Sequence, residues 1–208
     1  MSSRVGALLL LCAGTHARVE PATKVGFKDS LNGQPLVGVG VRKKGPIKVY
    51  GIGMYVDAMG SKMSLSKYKQ HESALKLPAS FFEDILGGFG KTLVLKMVYG
   101  VSKEKMAGAL AESIKPRMTG GLAAVSEFEQ MLMDGCETHA KDGRACAGTE
   151  FQFGVRGSSL GVHVNGKKVG TINSKPLCRA LLKCYFDSKS VAPALKSTSA
   201  EGLLERLH

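Results

Sequence analysis

The chain has 208 residues, of which 44% are hydrophobic and 22% charged; this suits a folded globular domain and excludes disorder, a collagen-like repeat or a coiled coil for its bulk. A domain of this length buries roughly 70% of the surface its unfolded chain exposes, so it folds without needing a metal or a disulfide. Lys and Arg number 29 against 17 Asp and Glu, a formal charge of +12, which favours anionic partners such as nucleic acid, acidic lipid head groups or carboxylates.

In the amino-terminal stretch, Arg4 precedes the apolar run Val5 to Gly14, and Thr15-His16-Ala17 follows. A basic start, a short apolar centre and a small residue before Arg18 match a secretory signal peptide. Residues 1–17 are therefore expected to be a signal or targeting peptide, 18–23 a short leader and 24–208 the domain. An ordinary N-terminal helix is the alternative, and the same leader could open a two-part plastid address. The apolar run is too short to span a bilayer and no second candidate follows. No integral membrane segment is expected in the mature protein.

From Lys24 the pattern reads as strands. Val25 to Leu31 alternates loosely up to the turn Asn32-Gly33, and Leu36 to Val41 continues it. After the turn-prone Lys43-Lys44-Gly45-Pro46, Ile47 to Asp57 puts Tyr50, Ile52, Met54 and Val56 on one face by period two. Ser73 to Leu77 is a short strand candidate, and Thr92 to Tyr99 is a further strand.

The period then changes. Ser102 caps a helix predicted over Lys103 to Met118, with Met106, Leu110 and Ile114 on its apolar face. Ser126 to Asp134 is a second helix. Glu150 to Val155, Leu160 to Val164 and Lys168 to Ile172 read as strands, the last two joined by the two-residue turn Asn165-Gly166. Ser174 caps a helix from Lys175 to Phe186, and a last one runs from about Ala192 to Leu207. The expected fold class is α+β, an antiparallel meander with helices packed on it.

Several motifs do not carry chemistry. Gly87-Gly88-Phe89-Gly90-Lys91-Thr92 ends like a phosphate-binding loop, but Ile85 stands where the first glycine is needed and a strand follows. The cysteines Cys12, Cys136, Cys146, Cys178 and Cys184 form no Cys-x-x-Cys pair. Cys136 and Cys146 could pair in an oxidising compartment; otherwise they are free thiols. His139 near them lacks a metal-ligand spacing. No metal or cofactor is expected. The absence of Trp and the scatter of lysines speak against a nucleic-acid surface, with Lys43, Lys44 and Lys48 read as a solvated turn.

Arg42 ends an apolar strand beside the strand carrying Tyr50. Gly38, Gly40, Gly51 and Gly53 leave space along both strands, as where a ligand or another backbone approaches closely. A guanidinium fork matches a carboxylate, and a phenol adds a donor. The two side chains share a face only if the loop holds an odd number of residues, for which Lys44-Gly45-Pro46 would serve. A surface Arg beside a core Tyr remains the other reading.

Val39-Gly40-Val41-Arg42 with Lys48 to Tyr55 resembles the paired strands of the chalcone isomerase superfamily. Lys91 to Val98, followed by Val101-Ser102 and Lys105-Met106, resembles its non-enzymatic branch, the plant and algal fatty-acid-binding proteins. Ala180 to Asp187 with Val191-Ala192-Pro193 is similar to the family's carboxy-terminal helix and turn. The resemblance covers residues 24 to 205. It implies an open-faced β-sandwich, a large antiparallel sheet carrying a helical layer, with a ligand cleft between them. It also implies loss of catalysis: of five polar groups that bind and cyclise a chalcone, Arg42 alone matches. Tyr50 stands at the strand Thr, Ser102 and Ala109 at the helix Tyr and Asn, and Cys184 beside Tyr185 at the late Ser or Thr.

The expected function is then a non-catalytic fatty-acid-binding protein. Arg42 and Tyr50 would take the carboxylate, and Ile52, Met54, Leu93, Leu95, Cys184 and Tyr185 would line the cleft. A true isomerase (an intramolecular lyase) and a ligand-free accessory protein that binds an enzyme are the alternatives.

Overall fold

A computed structural model describes residues 17–208. The expected targeting segment, apart from Ala17, lies outside the described residues, as does Cys12. The element order begins with three short strands, β1 (Ala17–Val19), β2 (Gly26–Lys28) and β3 (Ser30–Leu31), then the long hairpin β4 (Gln34–Lys44) and β5 (Ile47–Val56). Helices α1 (Ala58–Leu65) and α2 (Ala79–Ile85) lead to β6 (Lys91–Met97). Next come α3 (Lys103–Ile114) and α4 (Ala123–His139), the meander β7 (Glu150–Arg156), β8 (Ser159–Val164) and β9 (Lys167–Asn173), and finally α5 (Lys175–Phe186) and α6 (Pro193–Glu205).

Strands β3 to β9 form one antiparallel sheet in chain order. Its period-two pattern sorts side chains into two faces. On one face the register aligns Gly40, Ile52, Leu95, Phe151 and Val164 in a row, with Gly38, Met54, Leu93, Phe153 and Val162 beside it. The helical layer buries this face in the main core. The opposite face holds a smaller core of Phe27, Leu36, Val39, Tyr55 and Val94, covered in part by the β1–β2 ribbon.

The four strand glycines are filled by protein rather than by a ligand. A Cβ on Gly38 would stand 2.5 Å from the Ser199 backbone nitrogen, and one on Gly40 would stand 2.3 Å from that of Leu195, so α6 lies directly on β4. Gly51 and Gly53 face the other way, against Thr23, Val25 and Phe27.

Three expected elements change. Ser73 to Leu77 is no strand but a 3-10 turn over Ala74–Lys76, with the Ser73 side chain accepting from the Leu75 N–H. Val25 to Leu31 breaks into β2 and β3, which belong to different sheets. The helix at Lys103 stops at Ile114, where Pro116 ends the regular ladder and a 3-10 turn follows. The capping serines Ser102 and Ser174 accept from the N–H groups of Lys105 and Leu177 as the sequence implies. The Asn165-Gly166 turn has positive φ at both residues. Cys136, Cys146, Cys178 and Cys184 are free. Among the described residues no helix is long and apolar enough to cross a membrane.

Candidate ligand-binding site

The β4–β5 hairpin turns on two residues. Gly45 takes the left-handed first corner at φ +58°, and Pro46 takes the second. Lys44 therefore faces Ile47 and Lys43 faces Lys48, a register that would send Arg42 and Tyr50 to opposite faces. The bulge that follows corrects this. Val49 is the extra residue on β5, and beyond it Arg42 is paired directly with Tyr50. The odd residue thus sits in the strand, not in the expected three-residue loop.

At this end of the sheet Arg42 and Tyr50, in one row with the buried Met97, border a cavity of about 740 Å³. Its other walls are Val101 ahead of α3, Met106, Ala109 and Leu110 on α3, Cys184 and Tyr185 at the end of α5, and Val191 in the α5–α6 connector. That volume falls in the range of about 300–1,000 Å³ typical of small-molecule sites.

The Tyr50 and Tyr185 hydroxyls are 3.1 Å apart. Arg42 is half-buried, and its Nη1 donates to the Val191 carbonyl at 3.3 Å. Among the described residues no carboxylate pairs with this guanidinium, whereas Arg117 close by holds Asp187 through two N–H donors at 2.7 and 3.2 Å. Arg117 also donates to the carbonyls of Ser113 and Lys189, which ties the end of α3 to the connector bearing Val191. The Ser190 hydroxyl, bonded to the Tyr185 carbonyl, and the Val191 N–H, bonded to the Cys184 carbonyl, fix the same segment.

Around the paired phenols Arg42 supplies the permanent charge, while Lys44, Glu104, Lys105 and Glu112 also line the cavity. Burial pushes the Tyr50 phenol up to about 12, against the weaker opposing effects of the Tyr185 hydrogen bond and Arg42. Burial raises Tyr185 well above an ordinary tyrosine, and its neighbour Tyr50 adds to the effect. The Cys184 thiol is pushed up to about 12 by burial, despite Arg117 nearby, and stands 3.3 Å from the Ser113 and Ala180 carbonyls. All three groups are neutral at physiological pH. Around Tyr50 the site offers a guanidinium, neutral donors and apolar walls, and no phenolate or thiolate.

Of the expected site residues, the structure gathers Arg42, Tyr50, Cys184 and Tyr185 around the cavity. Ile52, Met54, Leu93 and Leu95 share their sheet face but are fully buried in the core and do not line it. They sit one and two rows further along the strands, under the helical layer. Ala109 is in the lining, while Ser102 is occupied as the α3 cap. Sequence reasoning missed the α3 wall, although Met106 and Leu110 were legible as an apolar stripe. It also missed Arg117, whose part depends on a loop seventy residues away.

The family model described as chalcone isomerase-like matches residues 17–198. The chain belongs to the chalcone isomerase-like family. A curated relative, fatty-acid-binding protein 1 of Arabidopsis thaliana, is 29% identical over 181 residues, covering 81% of this chain and 63% of its own length. The chain thus spans less than two thirds of that relative. The crystal structure of an Arabidopsis thaliana fatty-acid binding protein superposes with a TM-score of 0.79 at 24% identity, covering 92% of this chain and 99% of that one. Its likeness establishes the fold: the open-faced arrangement of antiparallel sheet and helices.

Proposed function

We propose that the protein is a non-catalytic fatty-acid-binding protein that holds a carboxylate against Arg42 and Tyr50. The observation that carries this reading is the Arg42 guanidinium beside the paired phenols: half-buried, without a carboxylate partner among the described residues, and bordering a cavity with Val101, Met106 and Leu110 in its walls. A charge-assisted bond from Arg to a carboxylate is roughly twice as strong as a neutral one. The two phenols share one hydrogen bond, so one hydroxyl proton of the pair is left to donate to a ligand. Kinship with a protein named for fatty-acid binding supports the same ligand class.

Ring closure of a chalcone argues the other way. It needs a positioned phenolate and donors to a developing enolate, each worth on the order of 3 kcal/mol. Ala109 offers no donor, Ser102 is engaged as a cap, and the Cys184 proton is directed at backbone carbonyls. Mass spectrometry of lipid co-purifying with the recombinant protein tests the proposal: fatty acid at near one equivalent is expected, and a protein that neither carries nor takes up fatty acid refutes it.

A further inference from the structure

The tip of the β4–β5 hairpin carries Lys43, Lys44 and Lys48, with Ile47 42% exposed between them. With Arg42 this makes four cations in seven residues, and no acid occurs anywhere from Ser30 to Val56. None of the three lysines enters a salt bridge among the described residues, and Lys48 donates only to the Ala22 carbonyl. Tyr99, 49% exposed, stands beside the hairpin, where its N–H is bonded to the Val49 carbonyl at 3.2 Å. Ile47 and Tyr99 both border the cavity mouth. The acids of that mouth, Glu104 and Glu112, lie on α3 across the opening, so the hairpin side forms a lip of its own, apolar at its centre and cationic at its flanks.

We infer that this lip docks on an anionic lipid bilayer, seating Ile47 and Tyr99 among the head groups so that the cavity opens onto the membrane. The inference rests on the fatty-acid reading for its purpose but not for its chemistry. Amphipathic aromatic and aliphatic side chains flanked by lysines are the composition that settles at a bilayer interface. A polyanion such as nucleic acid would use the lysines, yet its phosphate backbone would leave the apolar centre unmatched. A surface binding a ligand carboxylate alone would have no use for Lys43 and Lys48, whose strand positions place them on the face away from the cavity.

Co-sedimentation with vesicles lacking fatty acid tests this. The full protein should bind vesicles of phosphatidylcholine mixed with phosphatidylglycerol, release them as salt rises, and leave pure phosphatidylcholine vesicles unbound. Each lysine near an anionic surface is worth about fivefold in partition, so Lys43→Glu with Lys48→Glu should lower binding at least tenfold. Ile47→Ser should weaken it independently. Failure to bind anionic vesicles, equal binding to neutral ones, or undiminished binding by the double variant would overturn the inference. A fatty-acid titration in vesicle-free buffer separates the two readings. Ligand uptake without vesicle binding rejects the docking surface alone; vesicle binding without ligand uptake supports the surface and rejects the reading of the cavity.

Discussion

Tyr50 and Tyr185 come from elements 135 residues apart and meet through their hydroxyls at 3.1 Å, both buried and both uncharged. The partnership turns two phenols into a single neutral donor beside one guanidinium. That arrangement suits recognition of an anion head group and offers nothing that would take a proton from a substrate.

Removing the charge should therefore cost more than removing the phenol. Arg42→Ala loses a charge-assisted bond worth about 1.5–3 kcal/mol and should weaken fatty-acid binding at least tenfold. Tyr50→Phe removes a neutral donor worth about 0.5–1.5 kcal/mol. Calorimetric titration with a fatty acid and with the matching alcohol checks the assignment. Arg42→Ala should leave the alcohol's affinity much less changed, and equal losses for both ligands would mean that Arg42 only supports the fold.

Because burial holds Tyr50 and Cys184 up near 12, no group of theirs changes charge in the physiological range. Incubation with a chalcone should therefore not speed the loss of its absorbance beyond the protein-free rate at any pH from roughly 6 to 9. Turnover approaching that of a plant isomerase would contradict the non-catalytic reading.

The contact of α6 with β4 leaves no space for a methyl group. A Cβ on Gly40 would stand 2.3 Å from the Leu195 nitrogen, and one on Gly202 would stand 2.0 Å from the Val37 carbonyl oxygen. Overpacking of this kind costs about 1–3 kcal/mol and occasionally more, so Gly40→Ala and Gly202→Ala should each lower Tm by several degrees. Gly154→Ala, whose new methyl would find its nearest neighbours 4.0 Å away, is the control and should be tolerated.

At the far end of the same sheet face, Lys91 is 2% exposed with no acid beside it. Its ammonium donates to the Gly87 and Phe89 carbonyls at 2.7 and 2.6 Å and lies 4.0 Å from the Phe89 ring centre. Burial pushes it down to about 7 from 10.5. Between those values the unfolded chain binds more protons than the folded one, so stability rises with pH across that window and levels off below it. Denaturant midpoints of the native protein relative to Lys91→Met should accordingly shift in the native protein's favour as pH climbs from 7 toward 10. Parallel curves would show that the carbonyls and the ring offset the burial and keep the ammonium charged throughout.

We further propose that residues 1–17 are removed on entry to the secretory pathway or, by a two-part address, to a plastid. A chain starting at Arg18 would keep the ladder pairs Arg18 with Phe27 and Val19 with Gly26, so its Tm should match that of the full chain. Native material that begins at Met1 or Ser2 on amino-terminal sequencing would refute the removal.

Much of the meander was legible because its signals are local. Asn165-Gly166 can fill both left-handed corners of a tight turn, and Ser102 and Ser174 each cap the helix that follows by accepting from an N–H three residues on. The α1 helix was illegible for a matching reason: Ala58-Met59-Gly60-Ser61-Lys62-Met63-Ser64-Leu65 buries only Ser61 and Leu65, and its two methionines face solvent, so no 3.6-residue stripe exists. The site divided along the same line. Arg42 and Tyr50 could be paired by strand arithmetic, but their alignment depends on a bulge at Val49 that no local pattern announces. The depth of the cleft was misjudged because period two assigns Ile52 and Leu95 to a face without saying how far along it the helices come down.

The Val49 bulge separates what the hairpin tip carries from what its base aligns. The pairs Tyr50 with Met97 and Ile52 with Leu95 hold the base of β5 from its other side, so Gly45-Pro46 could be replaced by a turn two residues longer without rotating Arg42 away from Tyr50. Deleting Val49 would instead leave every tip residue in place and break the alignment below. Tip length and tip charge are thus open to exchange between relatives or by engineering, and a chimeric hairpin could alter the cavity rim, where Lys44 and Ile47 stand, while the Arg42–Tyr50 pairing beneath it is kept.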